Sequence, residues 1–189
     1  MFDPAKPPEL AVSRWFNSPA PISLATLKGK VAVVEAFQML CPGCVSHGLP
    51  QVQRIRERFS AKDVAVIGLH TVFEHHAAMT PTALEAFLYE YRIKFPVGVD
   101  EALGSGIPKT MLAYAMRGTP TLLIFDREGR LRRHYFGPSD DLALGAEIMA
   151  MVLETDAATT ERKLQAALSQ EGGPGGHHHH EHGPDGDCH

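Results

Sequence analysis

VAVVEAFQMLCPGC, residues 31–44, is the stretch on which the rest of the chain turns. Its first seven residues are a continuous apolar run rich in β-branched side chains. That pattern suits a strand buried on both faces rather than one with a wet side. Glu35 alone interrupts the run, and an acid there needs a reason. Cys41-Pro42-Gly43-Cys44 closes the stretch. Apolar residues then recur at Val45, Leu49, Val52, Ile55 and Phe59 with polar residues between them, which predicts a helix directly after the strand.

Outward from this unit, strand and helix alternate. DVAVIGLH, residues 63–70, is a second buried strand. TPTALEAFLYEYRI, residues 80–93, reads as a helix with Thr80 as N-cap and Pro81 in the first helical position. Phe95 to Val99 fits a short strand, and residues 103–118 a turn and a short helix. TLLIFD and RLRRHYFG form a β-hairpin around a turn at Glu128-Gly129. Leu142 to Leu153 and Glu161 to Leu168 supply terminal helix. The expected fold class is α/β, a three-layer sandwich with a mixed central sheet.

The ends differ from the body. Pro4, Pro7, Pro8, Pro19 and Pro21 predict an extended, loop-like lead-in over residues 1–21, anchored by Trp15 and Phe16. A domain over 22–153 and a helix over 154–171 follow. Residues 172–189, GGPGGHHHHEHGPDGDCH, hold six of the 17 Gly and six of the 11 His, with no aliphatic or aromatic side chain, and predict a disordered tail. That tail carries three acids and no Lys or Arg, so the net charge of −4 leaves a nearly neutral body. Such a body offers no electrostatic case for nucleic acid binding. No apolar run approaches the length of a membrane span, and the N-terminus lacks the basic-then-apolar pattern of a signal peptide, which points to a cytoplasmic protein.

With three cysteines, the chain is not a disulfide scaffold. Cys41 and Cys44 lie three apart where a buried strand meets a helix. Pro42 fits the first helical turn without losing a needed hydrogen bond, which leaves Cys41 at the positive end of the helix, where amides favour a thiolate. Cys44, one turn on, is placed to resolve a mixed disulfide. The competing readings are half a zinc site or two inert core thiols. The body lacks the second CxxC or paired His that a structural zinc site would want.

VVEAFQMLCPGC followed by a helix, with Gly118-Thr119-Pro120 opening a later strand, resembles the thioredoxin fold, and most closely the redoxin or TlpA-like thiol-disulfide oxidoreductases of the wider AhpC/TSA-like superfamily. The resemblance covers roughly residues 22 to 153. It includes an extra helix and strand between Leu69 and Arg117, and implies a thioredoxin-like fold with that insertion. It also implies a Cys41/Cys44 dithiol that exchanges with protein thiols or disulfides, fed by an upstream reductant, with no cofactor required. Pro42, Gly43, Thr119 and a cis-Pro120 would shape the substrate cleft. Glu35 stands where thioredoxins carry a buried acid; burial should raise its pKa and let it exchange a proton with Cys44. His47, three residues after Cys44, is a possible modulator of the pair.

The sequence departs from that family at Leu40, where a tryptophan is common, in the order Pro-Gly, and at Pro50, one residue later than the family's helix-kinking proline. His70, His75 and His76 suggest polar loop decoration ahead of a copper or zinc site with the cysteines. In the tail, His177, His178, His179, His180 and His182 suit Ni, Zn or Cu, and Cys188 follows them. Two alternatives therefore accompany the oxidoreductase reading: a metal-binding or metal-delivery protein, and a component of a peroxide-reducing, antioxidant chain. A direct peroxidase is disfavoured, because Phe37-Gln38-Met39-Leu40 precedes Cys41 in place of the peroxiredoxin pattern.

Overall fold

All seven residues of VAVVEAF are buried, and they form a central strand. The structure, a computed structural model, describes residues 2–104 and 106–154. Six strands make one sheet: β1 (Val12–Phe16), β2 (Val31–Phe37), β3 (Val64–His70), β4 (Val97–Asp100), β5 (Thr121–Phe125) and β6 (Leu131–Phe136), in the order β1-β4-β3-β2-β5-β6. β2 pairs parallel with β3 and antiparallel with β5, so the sheet is mixed as expected.

Side chains alternate across β2 and divide the interior into two cores. Val31, Val33 and Phe37 face one side, with Leu49, Val52 and Ile55 of α1 (Leu49–Arg58), Leu84 and Leu88 of α2 (Pro81–Glu90), and Leu144, Ile148 and Met151 of α4 (Asp141–Leu153). Ala32, Val34 and Ala36 face the other side, with Met111 of α3 (Lys109–Ala113), Tyr114, Met116, Leu10 and Leu24. Burying each Val, Leu, Ile or Phe side chain is worth roughly 1.5–3 kcal/mol. The two-faced burial of β2 anchors the strand that carries the site at its C-terminal end. Glu35 has the parity of Val33 and Phe37, so its carboxyl enters the α1 side.

Several local expectations hold in detail. The Thr80 side chain accepts a hydrogen bond from the Ala83 amide at 3.2 Å and caps α2, with Pro81 behind it. β5 and β6 form the expected antiparallel hairpin. Its turn is fixed by Asp126, which accepts from the Glu128 and Arg130 amides at 3.0 Å each, and by Gly129 at a φ of +82°.

Two local expectations do not. The prolines predict an extended, loop-like lead-in, yet its middle is paired as β1, antiparallel to β4 at the sheet edge. No proline falls between Pro8 and Pro19, and an edge position tolerates exposed Ser13 and Arg14 while Phe16 is buried and Trp15 packs on the opposite core. The helix after Cys41 is not uniform either. It opens at Pro42, widens into a π turn over Cys44–Gly48, where the Leu49 amide donates to the Cys44 carbonyl, and then continues as α1. Pro50 has no amide to give Ser46 and its ring would crowd that carbonyl in a regular helix. The wider turn absorbs both effects, together with the one-residue displacement of this proline. The expected helix over residues 161–168 and the tail over 172–189 lie outside the described residues.

Candidate functional site

Cys41 sits just beyond β2, with its amide donating to the Gln38 carbonyl at 3.2 Å, and the helix begins at Pro42. Cys41 is half-buried and Cys44 is fully buried; both are free thiols. The Cys44 amide donates to Cys41 Sγ at 3.4 Å, so the start of the helix turns an N–H onto the outer sulfur. The Cys41 thiol donates to the Thr119 carbonyl at 3.3 Å. Burial and the contact with Cys41 push the Cys44 thiol up, and hydrogen bonds from the Gln38 backbone and Thr119 only partly oppose this. The two sulfurs thus occupy unlike environments, one accessible and supplied with an amide, the other sealed beneath it.

Thr119-Pro120 is a cis peptide, leading into β5 beside the pair. A Cβ on Gly43 would lie 3.2 Å from Pro120 Cδ, so the small residue between the cysteines permits this close approach. Leu40 stands out from the surface at 57% exposed, and Phe136 at 49%. The Phe136 ring packs on Gly118 and under the Arg117 guanidinium, 5.0 Å from its centroid. An apolar side chain is thus exposed next to Cys41 and another next to Gly118.

Glu35 is 1% exposed, and its Oε1 has no hydrogen-bond partner. Desolvation, reinforced by negative charge at Cys41, raises its pKa well above the ordinary 4.5. It lies against Pro120 and Gly48, on the far side of the proline from Cys41. Thus the structure brings together Cys41, Cys44, Pro42, Gly43, Thr119, Pro120 and Glu35. His47 is exposed, with its Nδ1 2.7 Å from Ser46 Oγ, and borders the cavity behind Glu35.

His70, by contrast, is buried against Phe37 with its Nε2 unpartnered, and burial lowers its pKa to about 4. His75 and His76 are exposed, and among the described residues no group of three or more His, Cys, Asp or Glu side chains is gathered for a metal ion. His177 to His180, His182 and Cys188 lie outside the described residues. Residue-type reasoning missed Gly48, Gln51, Ser139 and Asp141, which surround Glu35 from the outer side. One signal was available: a glycine inside a helical stretch costs stability and so often marks a close approach.

A mixed sheet carrying a dithiol at the end of its central strand, beside a cis-proline, defines a thioredoxin-fold protein. The Redoxin family matches residues 6–169, and the chain belongs to that family. Among solved structures, a thioredoxin-like superfamily protein shares 59% identity over 79% of this chain and 97% of its own, with a TM-score of 0.78. A thiol-disulfide isomerase from Corynebacterium glutamicum shares 49% identity over 80% of this chain and 98% of its own, with a TM-score of 0.77. The thiol-disulfide oxidoreductase ResA of Bacillus thuringiensis is 26% identical over 116 residues, 61% of this chain. The chain spans 60% of that ResA, and 18% of the mycobacterial DipZ proteins that it also matches. Two of these relatives carry the names thiol-disulfide isomerase and thiol-disulfide oxidoreductase.

Proposed function

We propose that the protein exchanges a Cys41–Cys44 dithiol and disulfide with cysteines of other proteins, with Cys41 as the attacking sulfur. The observation that carries this reading is the asymmetry of the pair: Cys41 is reachable and receives the Cys44 amide, while Cys44 is buried beneath it. In the reducing direction the Cys41 thiolate attacks one sulfur of a substrate disulfide. That S–S bond breaks, and the first substrate thiolate leaves and is protonated by solvent. Cys44 then gives its proton to the Glu35 carboxylate, attacks Cys41 Sγ, and expels the second substrate thiolate as the internal disulfide forms. An upstream dithiol resets the pair; the oxidising direction runs the same steps backwards, with protonated Glu35 supplying Cys44 as it leaves.

Pro42 and Gly43 shape the turn, and the backbone at Thr119 and Pro120 borders an extended substrate segment at the cleft. His47 stands at the mouth of the cavity behind Glu35. Cys44→Ser should accumulate mixed disulfides with protein partners that added thiol releases, whereas Cys41→Ser should accumulate few. Equal trapping by both variants, or faster alkylation of Cys44 than of Cys41 in the wild-type protein, would overturn this order of attack.

A further inference from the structure

Behind Pro120 a cavity of about 80 Å³ runs outward from Glu35. It is roomy by the standard of the 10–15 Å³ or so needed to admit one water. Its inner end is the unpartnered Glu35 Oε1, and its walls include Gly48, Pro120 and Leu122. The outer part is polar. Gln51 donates to Asp141 Oδ1 at 2.7 Å and to the Ser139 carbonyl at 2.9 Å, and accepts from Ser139 Oγ at 3.0 Å. His47 stands at the same mouth, and Arg54 pairs with Asp141 at 2.9 Å.

Gly48 decides whether this space exists. A Cβ there would overlap Glu35 Oε1 and lie 3.1 Å from both Glu35 Cδ and Pro120 Cβ. The glycine is brought over Glu35 by the π turn that accommodates Pro50. Pro120 divides the site: its Cδ lies toward Gly43 and Cys41, and its Cβ toward Gly48. In the dithiol reading, a substrate joined to Cys41 would cover the first side and leave the second open.

We propose that the cavity is a water-lined proton path between Glu35 and solvent, kept open by Gly48, which lets the buried carboxyl reload while a substrate covers Cys41. The inference rests on the dithiol reading and extends it by naming Gly48 as a positioning residue. Without such a path, the carboxyl would have to shed its proton through the occupied cleft before it could accept the one from Cys44. The charged and titratable groups around the path are Cys41 and Cys44 at the start of the helix, His47 and Arg54 from the π turn and α1, and Asp141 at the start of α4.

The test uses full-length Cys44→Ser protein carrying a mixed disulfide between Cys41 and 5-thio-2-nitrobenzoate, in mildly acidic buffer where the buried carboxyl is protonated. Infrared spectroscopy after transfer to heavy water follows the carboxylic acid stretch, assigned to Glu35 by its loss in Glu35→Gln. With Gly48 present, the band should shift within the mixing time. Gly48→Ala should delay the shift by an order of magnitude or more. Ser139→Leu, which narrows the mouth from the opposite wall, should do so too, and decides the matter if Gly48→Ala does not fold. Equally fast exchange in folded variants and parent refutes the path. Failure of the wild-type protein to form a Cys41–Cys44 disulfide refutes instead the reading on which it rests.

Discussion

Glu35→Gln should uncouple stability from pH in a defined direction. In the folded protein the carboxyl is buried, and its pKa lies well above 4.5, first through desolvation and then through negative charge at Cys41. In the unfolded chain it titrates near its ordinary value. Below pH 4.5 both states hold the proton, and the acid contributes no pH dependence. As pH rises above that value, the unfolded state releases its proton while the folded state keeps it, so the fold loses stability until pH passes the raised folded value. The loss is about 1.4 kcal/mol for each pH unit inside that window.

Glutamine has nearly the same shape and does not titrate. The stability difference between Glu35→Gln and wild type should therefore widen in favour of the variant by that slope, beginning near pH 4.5. Groups that do not interact with Glu35, including Asp100, which burial raises, and His70, which burial lowers, titrate alike in both proteins and cancel in the difference. Urea unfolding of both proteins under excess reductant, in steps across the acidic and neutral range, measures it. A gap that stays constant over this range would refute the burial argument for Glu35.

Three further outcomes are expected. His70 is held neutral in the fold, so wild type should lose about 3 kcal/mol as pH falls from 6.5 to about 4, and His70→Phe should remove that loss; identical acid limbs in urea titrations would contradict it. Asp100 accepts from Thr71 Oγ1 at 2.9 Å and from the Thr110 and Met111 amides at 2.9 and 3.0 Å. Asp100→Ala strands three buried donors and should lower unfolding stability by about 3 kcal/mol, and a loss under about 1 kcal/mol would show that water replaces the carboxylate there. Removing residues 172–189 should abolish tight Ni or Zn binding in calorimetry while leaving the melting temperature and dithiol exchange unchanged, and a marked drop in either would make the tail part of the working structure.

Local chemistry along the chain determined a great deal by itself. A run apolar at every position but Glu35 suits a strand between two covered faces, so VAVVEAF announced the central strand, and the spacing of Cys41 and Cys44 at its end announced the dithiol. Thr80-Pro81 and Glu128-Gly129 marked a helix start and a hairpin through hydrogen bonds and φ preferences that act within a few residues. The edge strand β1 was not legible, because its pairing with β4 joins segments more than 80 residues apart and an edge needs no alternating pattern. The position of Gly48 over Glu35 was not legible either. It depends on how a proline-widened turn rotates the helix against a strand, and only packing supplies that angle. His70 shows the same limit: a histidine at a strand end reads first as polar loop decoration, and packing against Phe37 and its neighbours decided that it is a neutral core residue. Residue types and short spacings set the chemistry available to this protein, while tertiary packing set which groups are shielded from water and therefore which way their protons move.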